Sequence, residues 1–169
     1  MYSQREDIAC VGAKLYYPDN RIQHAGVIIG IYGCTGHSHK YYNFNSNGYF
    51  YRLVSVQNMS AVTAACLMIK TKIYKELNGL DEINLEVAFN DVDFCLRAQE
   101  KGYRNIFTPY CEAYHYESIS RGKENTPIKM DRFKREVEYI KKRYSIIFKR
   151  GDPFYNPNLT LIREDFSLK

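Results

Sequence analysis

Apolar and polar positions follow two different periods along this chain, and the changes of period mark out its elements. Residues 8–17 (IACVGAKLYY) are rich in apolar, β-branched and aromatic side chains and stop at the turn signal Pro18-Asp19-Asn20, which predicts a strand. Residues 21–31 predict a second strand, so that the two make a hairpin. Residues 32–48, rich in Gly, His, Tyr and Asn, predict a loop too long for a simple connection and therefore functional. The short apolar run 62–70 (VTAACLMIK) reads as a buried strand, followed by a helical piece over 71–77 that stops at Asn78-Gly79. Residues 91–101 predict a helix ending at Gly102, with Asn90 as its N-cap and Asp93 at the capping-box position. Residues 104–116 read as a strand. Residues 131–148 read as an amphipathic helix, with Phe133, Val137, Ile140 and Tyr144 spaced by three or four.

After Gly151 the chain carries two prolines and several asparagines and reads as an extended tail, so residues 1–151 form the expected domain and 152–169 a tail. The element order predicts an α/β fold, a mixed sheet with flanking helices. It lacks the glycine-rich strand-to-helix turn that cradles phosphates. No Asp-x-Asp occurs in a loop after an apolar strand.

Composition narrows the picture. With 45 % hydrophobic and 25 % charged residues, the 169-residue chain is an ordinary globular domain with one core. Sixteen Tyr and nine Phe with no Trp suit either a β-rich core or a cleft whose ring faces pack on sugars. The net charge of +5 comes without a run of five or six like charges, and Lys141-Lys142-Arg143 fits a solvated helix face. That disfavours nucleic acid as a partner and leaves open an anionic lipid or a nucleotide diphosphate. Five scattered cysteines without Cys-x-x-Cys predict a reducing, cytoplasmic setting. No apolar run approaches the ~18 residues of a membrane span, so any membrane contact is expected to be peripheral.

Asn90-Asp91-Val92-Asp93 carries the most chemical information. Helical positions two apart lie about 200° from one another, so Asp91 and Asp93 cannot serve one site as a pair. Asp93 is placed to cap the helix and to reach Arg97 at i+4. Asp91 lies in the positive field of the helix N-terminus, as a general base would. The same acids also simply favour a helix start. Cys34, His37 and His39, with His24, make a second cluster, although Cys-x-x-His-x-His is not a usual zinc spacing. A loop that shapes the acceptor cleft, with Tyr41 and Tyr42 as stacking surfaces, explains it better.

The order of several short motifs resembles the second half of family 2 glycosyltransferases, nearest to rhamnosyltransferase-like members of bacterial polysaccharide synthesis. The motifs are Val62-Thr63-Ala64-Ala65-Cys66, Asn78-Gly79-Leu80-Asp81-Glu82, Phe89-Asn90-Asp91-Val92-Asp93 through Arg97, Lys101-Gly102-Tyr103, and His115 with Ser118 to Gly122. Gln23-His24-Ala25-Gly26-Val27 and the stretch from Asp152 to Leu159 extend the likeness over nearly the whole chain from about Val11.

The resemblance implies the acceptor-side portion of a glycosyltransferase-A type fold and inverting transfer from a nucleotide sugar to a glycan or lipid-linked acceptor. It makes Asp91 the base and departs from the family at Asn90, where Glu is usual. It puts Thr63, Ala64, Asn90 and Asp93 at the substrate, His115 at a metal or the diphosphate, and Arg121 at the leaving diphosphate. A surface Arg and a strand-end His bonded to backbone are the plain alternatives for the last two.

The family's donor half, with the Asp-x-Asp that binds Mg²⁺ or Mn²⁺, is expected to lie outside this chain. A chain of this extent is then expected to bind no metal firmly, to be inert in isolation, and to self-associate through faces that the other half would cover. Two other classes compete. One is a non-catalytic carbohydrate-binding or regulatory module, and the other a small metal-binding protein built on Cys34, His37 and His39.

Overall fold

The computed structural model describes residues 1–116 and 126–169. Its centre is a parallel pair, β1 (Ile8–Tyr16) and β7 (Arg104–Tyr114), in register at Val11 with Ile106 and again at Lys14 with Glu112. The register slips between Gly12 and Lys14, so that β7 carries extra residues there and bends. The far edge of β1 is shared. Its first half pairs antiparallel with β6 (Leu67–Ile69) and its last residues pair antiparallel with β2 (Ile22–His24). On the other side, β5 (Gln57–Met59) pairs antiparallel with the first half of β7. A separate two-stranded sheet is made by β3 (Val27–Ile29) and β4 (Thr35–His37). The whole is a mixed α/β fold.

Among the described residues four α-helices complete it: α1 (Thr71–Glu76), α2 (Asn90–Glu100), α3 (Pro127–Arg143) and α4 (Ser145–Arg150). Helix α2 is the core helix. Val92, Phe94, Cys95, Leu96 and Ala98 are all buried, and Phe94 meets Phe107 and Ile140 in one cluster. Burying one such side chain contributes about 1.5–3 kcal/mol, so this helix is a principal source of stability. Gly12 lets the layers close. A Cβ there would sit 2.5 Å from Cβ of Val62.

Several elements differ from their sequence pattern, each for a local reason. The strand expected over 21–31 breaks in two at Gly26, whose φ of 97° turns the chain out of the first sheet and into the second. Part of the expected loop 32–48 is therefore strand β4. The run 62–70 is not a buried strand: Thr63 caps a 3₁₀ turn over Ala64–Cys66, and β6 is short and half-exposed. Helix α2 starts one residue early. Phe89, in left-handed backbone at φ 63°, precedes it, so Asn90 is its first residue and caps nothing. The last helix starts earlier too, at Pro127 with Thr126 accepting the N–H of Lys129, and it breaks at Tyr144 into α3 and α4.

The tail is irregular yet packed. Asp152 is buried and accepts the N–H groups of Ile29 (2.7 Å) and Phe154 (2.8 Å), while burial pushes its carboxyl pKa up. Phe166 stacks on His39 at 4.2 Å between ring centres. Among the described residues no helix is long and apolar enough to cross a membrane.

Candidate functional site

Strands β1 and β7 run parallel and end together at Tyr16 and Tyr114, and the residues just beyond them, Tyr17 and His115, line a cleft of about 750 Å³. Such a position, outside the carboxyl ends of parallel strands, is where open α/β sheets bind ligands. The second sheet supplies one wall through Thr35, Gly36 and His37. The turn at Thr63 and Ala65 supplies the floor. The segment Val87–Phe89, the start of α2 and the α3 side chains Phe133, Val137 and Lys141 close the other side.

Asp91 lies in this cleft, held from two directions. One carboxylate oxygen accepts the N–H of Val92 (2.8 Å), its neighbour in the first turn of α2. The other accepts the N–H of Ala64 (2.9 Å), from the 3₁₀ turn that Thr63 caps through the N–H of Ala65 (3.3 Å). A carboxylate offers about four acceptor sites, and the described residues occupy two of them. The wall beside it is set by Glu136 of α3, which is buried and accepts the N–H groups of Val87 and Ala88, each at 3.0 Å.

The histidines divide by environment. His24 is fully buried beneath the cleft: Nδ1 faces the carbonyl of Ala13 (2.9 Å), and Nε2 accepts from Gly26 (3.2 Å) and Thr63 (3.1 Å). Burial first, and then the nearby His37, push its pKa down to about 3, so it is a neutral structural bracket. His39 is buried as well, with Nε2 accepting the N–H of Tyr49 (3.0 Å) and Nδ1 against Ser38 Oγ (2.7 Å). Its pKa is also driven down to about 3, chiefly by burial. His37 and His115 line the cleft, and both meet Gln23: His37 Nδ1 lies 2.7 Å from its main-chain oxygen, and His115 Nδ1 2.9 Å from Oε1.

Of the residues singled out in the sequence, Asp91, His115 and Thr63 come together in the cleft, and Ala64 joins them through its N–H. Asn90 does not line it. Asp93 faces away, into a separate hollow with Arg97 and Arg143. It is 1 % exposed, accepts from Tyr144 (2.6 Å) and Arg97 (2.7 Å), and is ion-paired with Arg143 (3.2 Å), whose Nε–H donates to Tyr144 Oη. The i+4 partner Arg97 is as expected, whereas the capping-box role is not seen. Arg121 lies outside the described residues. The Cys34, His37 and His39 set does not converge, since His39 is turned into the core. Among the described residues no three His, Cys, Asp or Glu side chains are grouped to hold a metal ion. The described part of the chain therefore does not fit a resident Mg²⁺ or Mn²⁺.

Gln23 lies in one of the motifs that carry the resemblance but received no role there, and Glu136 belongs to none of them; their partners stand 92 and 49 residues away.

The chain is 55 % identical over 166 residues, 98 % of its length, to the uncharacterized protein y4gI of Sinorhizobium fredii. It is 32 % identical over an alignment of 182 residues, covering 99 % of its length, to the O-antigen biosynthesis protein RfbC of Myxococcus xanthus. The chain spans only 18 % of the first relative and 13 % of the second. No family model matches it.

Proposed function

We propose that this chain is the acceptor-side part of an inverting glycosyltransferase of the glycosyltransferase-A type, with Asp91 as its general base. The observation that supports this reading best is the seat of Asp91: a carboxylate fixed by two backbone N–H groups, with lone pairs left over, in a cleft at the carboxyl ends of two parallel strands. An acceptor hydroxyl placed there gives its proton to Asp91 as its oxygen bonds to the anomeric carbon, and the bond from that carbon to the leaving diphosphate breaks. The rings of Tyr17, Tyr32, Phe89 and Phe133 around the cleft suit the C–H faces of a glycan or lipid-linked acceptor. Similarity to a protein named for O-antigen biosynthesis points the same way.

A positioned base is worth about 10²–10⁴ in rate, against the 10⁶ or more that enzymes deliver. Donor binding and charge neutralisation therefore fall to polypeptide beyond this chain, and the chain by itself is inert. The metal expected of such enzymes would supply neutralisation of the leaving diphosphate. The described residues do not assemble its site. Exposed apolar side chains such as Phe50 and Tyr110 give further polypeptide, or a second copy, a surface to cover.

The test is Asp91→Asn in the full product of the gene, assayed with a panel of nucleotide sugars against glycan acceptors. Transfer is expected to fall by about 10²–10⁴ while nucleotide-sugar binding is unchanged. If the unmutated protein transfers nothing, yet binds glycan equally well with and without Asp91→Asn, the chain is a carbohydrate-binding module and the transferase reading fails.

A further inference from the structure

Gln23 sits on β2, 2 % exposed, between the two histidines that line the cleft. The direction of its amide is decided by its own contacts. Nε2 donates to the main-chain carbonyl of His115 at 3.3 Å, and turning the amide over would set two oxygens against each other. Oε1 therefore faces Nδ1 of His115, 2.9 Å away. An oxygen in that place needs a hydrogen on Nδ1, which leaves the Nε2 of a neutral ring with a lone pair. The same residue acts on His37 through its backbone, because the main-chain oxygen of Gln23 lies 2.7 Å from His37 Nδ1. The ring of His115 is further anchored at its backbone, where its N–H donates to the carbonyl of Tyr16 at 2.9 Å.

We propose that Gln23 is a positioning residue that holds His115 in the Nδ1–H tautomer, so that Nε2 offers a lone pair to the ligand in the cleft. A neutral ring in that state accepts a hydrogen bond from a sugar hydroxyl or gives its electron pair to a cation. It cannot donate to a phosphate oxygen. The partner of His115 is thus an electron-pair acceptor or a hydroxyl hydrogen, which separates two roles that a bare strand-end histidine would leave equivalent. The device is of a known physical kind: the hydrogen bond on one ring nitrogen selects what the other can do. The tautomer stands independently of the transferase reading, and only its meaning for sugar transfer rests on that reading.

The experiment is a long-range ¹H–¹⁵N correlation spectrum of the uniformly labelled chain, taken at a pH where the imidazoles are neutral. Only four histidines are present, so the rings are readily told apart, with His115→Asn assigning the signal in question. The contacts of all four predict a protonated Nδ1 and a pyridine-like Nε2, the less common form of a free side chain. Gln23→Leu removes the acceptor and is expected to move the hydrogen of His115 to Nε2. His37, bonded to a main-chain oxygen that survives the substitution, is expected to stay as it is. Gln23→Glu restores an acceptor oxygen and is expected to restore the Nδ1–H form.

A His115 ring that carries its hydrogen on Nε2 in the unmutated chain overturns the proposal, as does a ring unmoved by Gln23→Leu. Should Gln23→Leu fail to fold, the unmutated spectrum and Gln23→Glu still decide. In the full-length protein, loss of transfer without a tautomer change sinks this proposal and spares the transferase. A tautomer change in a protein without transferase activity does the reverse.

Discussion

Asp91 and Asp93 stand two positions apart on α2 and are held in opposite ways. Asp93 is closed off: Arg97, Arg143 and Tyr144 surround it, and Arg97 also donates to the main-chain carbonyls of Leu77 and Gly79. The phenol of Tyr144 is pushed up by burial and by Asp93, and the guanidinium of Arg143 is held above its ordinary value by Tyr144 and Asp93. Asp91 is open. Main-chain N–H groups fix its position, no cation among the described residues pairs with it, and it lines a cleft. Helical geometry sends the two carboxylates to different sides, and the neighbours then make one a structural hub and the other a site. The largest single effect is expected of Asp91→Asn, which should lower transfer by about 10²–10⁴ while leaving the melting temperature within a degree or two.

Asp93→Ala reverses that pattern. Removing one member of a buried charge cluster leaves Arg97 and Arg143 without their counter-charge and is expected to cost about 3–5 kcal/mol. Urea titration measures it, and any loss of transfer should follow the folded fraction alone. A variant of unchanged stability that no longer transfers would mean that Asp93 is the reacting carboxylate, and the comparison would have to be redrawn.

Acid separates the same two regions more gently. The ordinary imidazole value is 6.5, and His24 and His39 are both held at about 3 in the folded chain. Between those values the unfolded chain takes up protons that the folded chain refuses. Their contribution is therefore complete above pH 6.5 and declines as pH falls toward 3, by at most about 1.4 kcal/mol per pH unit for each ring. His24 brackets Gly26 and Thr63, under the cleft, whereas the hub contains no histidine. On lowering pH from 7 to 5, the protection of the Gly26 and Thr63 amides, their exchange taken relative to the intrinsic rate at each pH, should fall before protection in α2 does. A simultaneous loss of protection everywhere would show that the bracket is not a local one.

What could be read from the residues alone follows from how far each signal reaches. The divergence of Asp91 and Asp93, and the pairing of Asp93 with Arg97, depend on helical period and were legible. Strand β1 was legible because its apolar run ends at a clear turn signal, and β7 was read over 104–116, two residues longer than it is. The break of the second strand was not, since Gly26 only shows its purpose once Met59 fills the space that a Cβ would need, 2.3 Å away. The left-handed Phe89 that starts α2 defies its own side-chain type and is imposed by packing; its ring lies 5.6 Å from that of Phe133. Gln23 and Glu136 act on residues far away in sequence, so only the fold could nominate them. The motif order pointed to Asp91, His115 and Thr63, and the fold places these three in one cleft.

Thr63 provides the smallest effect and the finest discrimination. Its hydroxyl accepts the N–H of Ala65 and shapes the turn whose Ala64 N–H holds Asp91. Thr63→Val keeps the shape and removes the acceptor. The N–H left behind is at the surface and can turn to water, so the stability cost should stay near 0.5–1 kcal/mol. A slightly misplaced Asp91 should slow transfer by up to about tenfold, because catalytic placement is sensitive to shifts well below an ångström. Thr63→Ser, which keeps the hydroxyl, should restore most of that loss. If Thr63→Val instead damages transfer as severely as Asp91→Asn with stability intact, the hydroxyl touches the substrate itself. The turn would then be part of the binding surface rather than the support of the base.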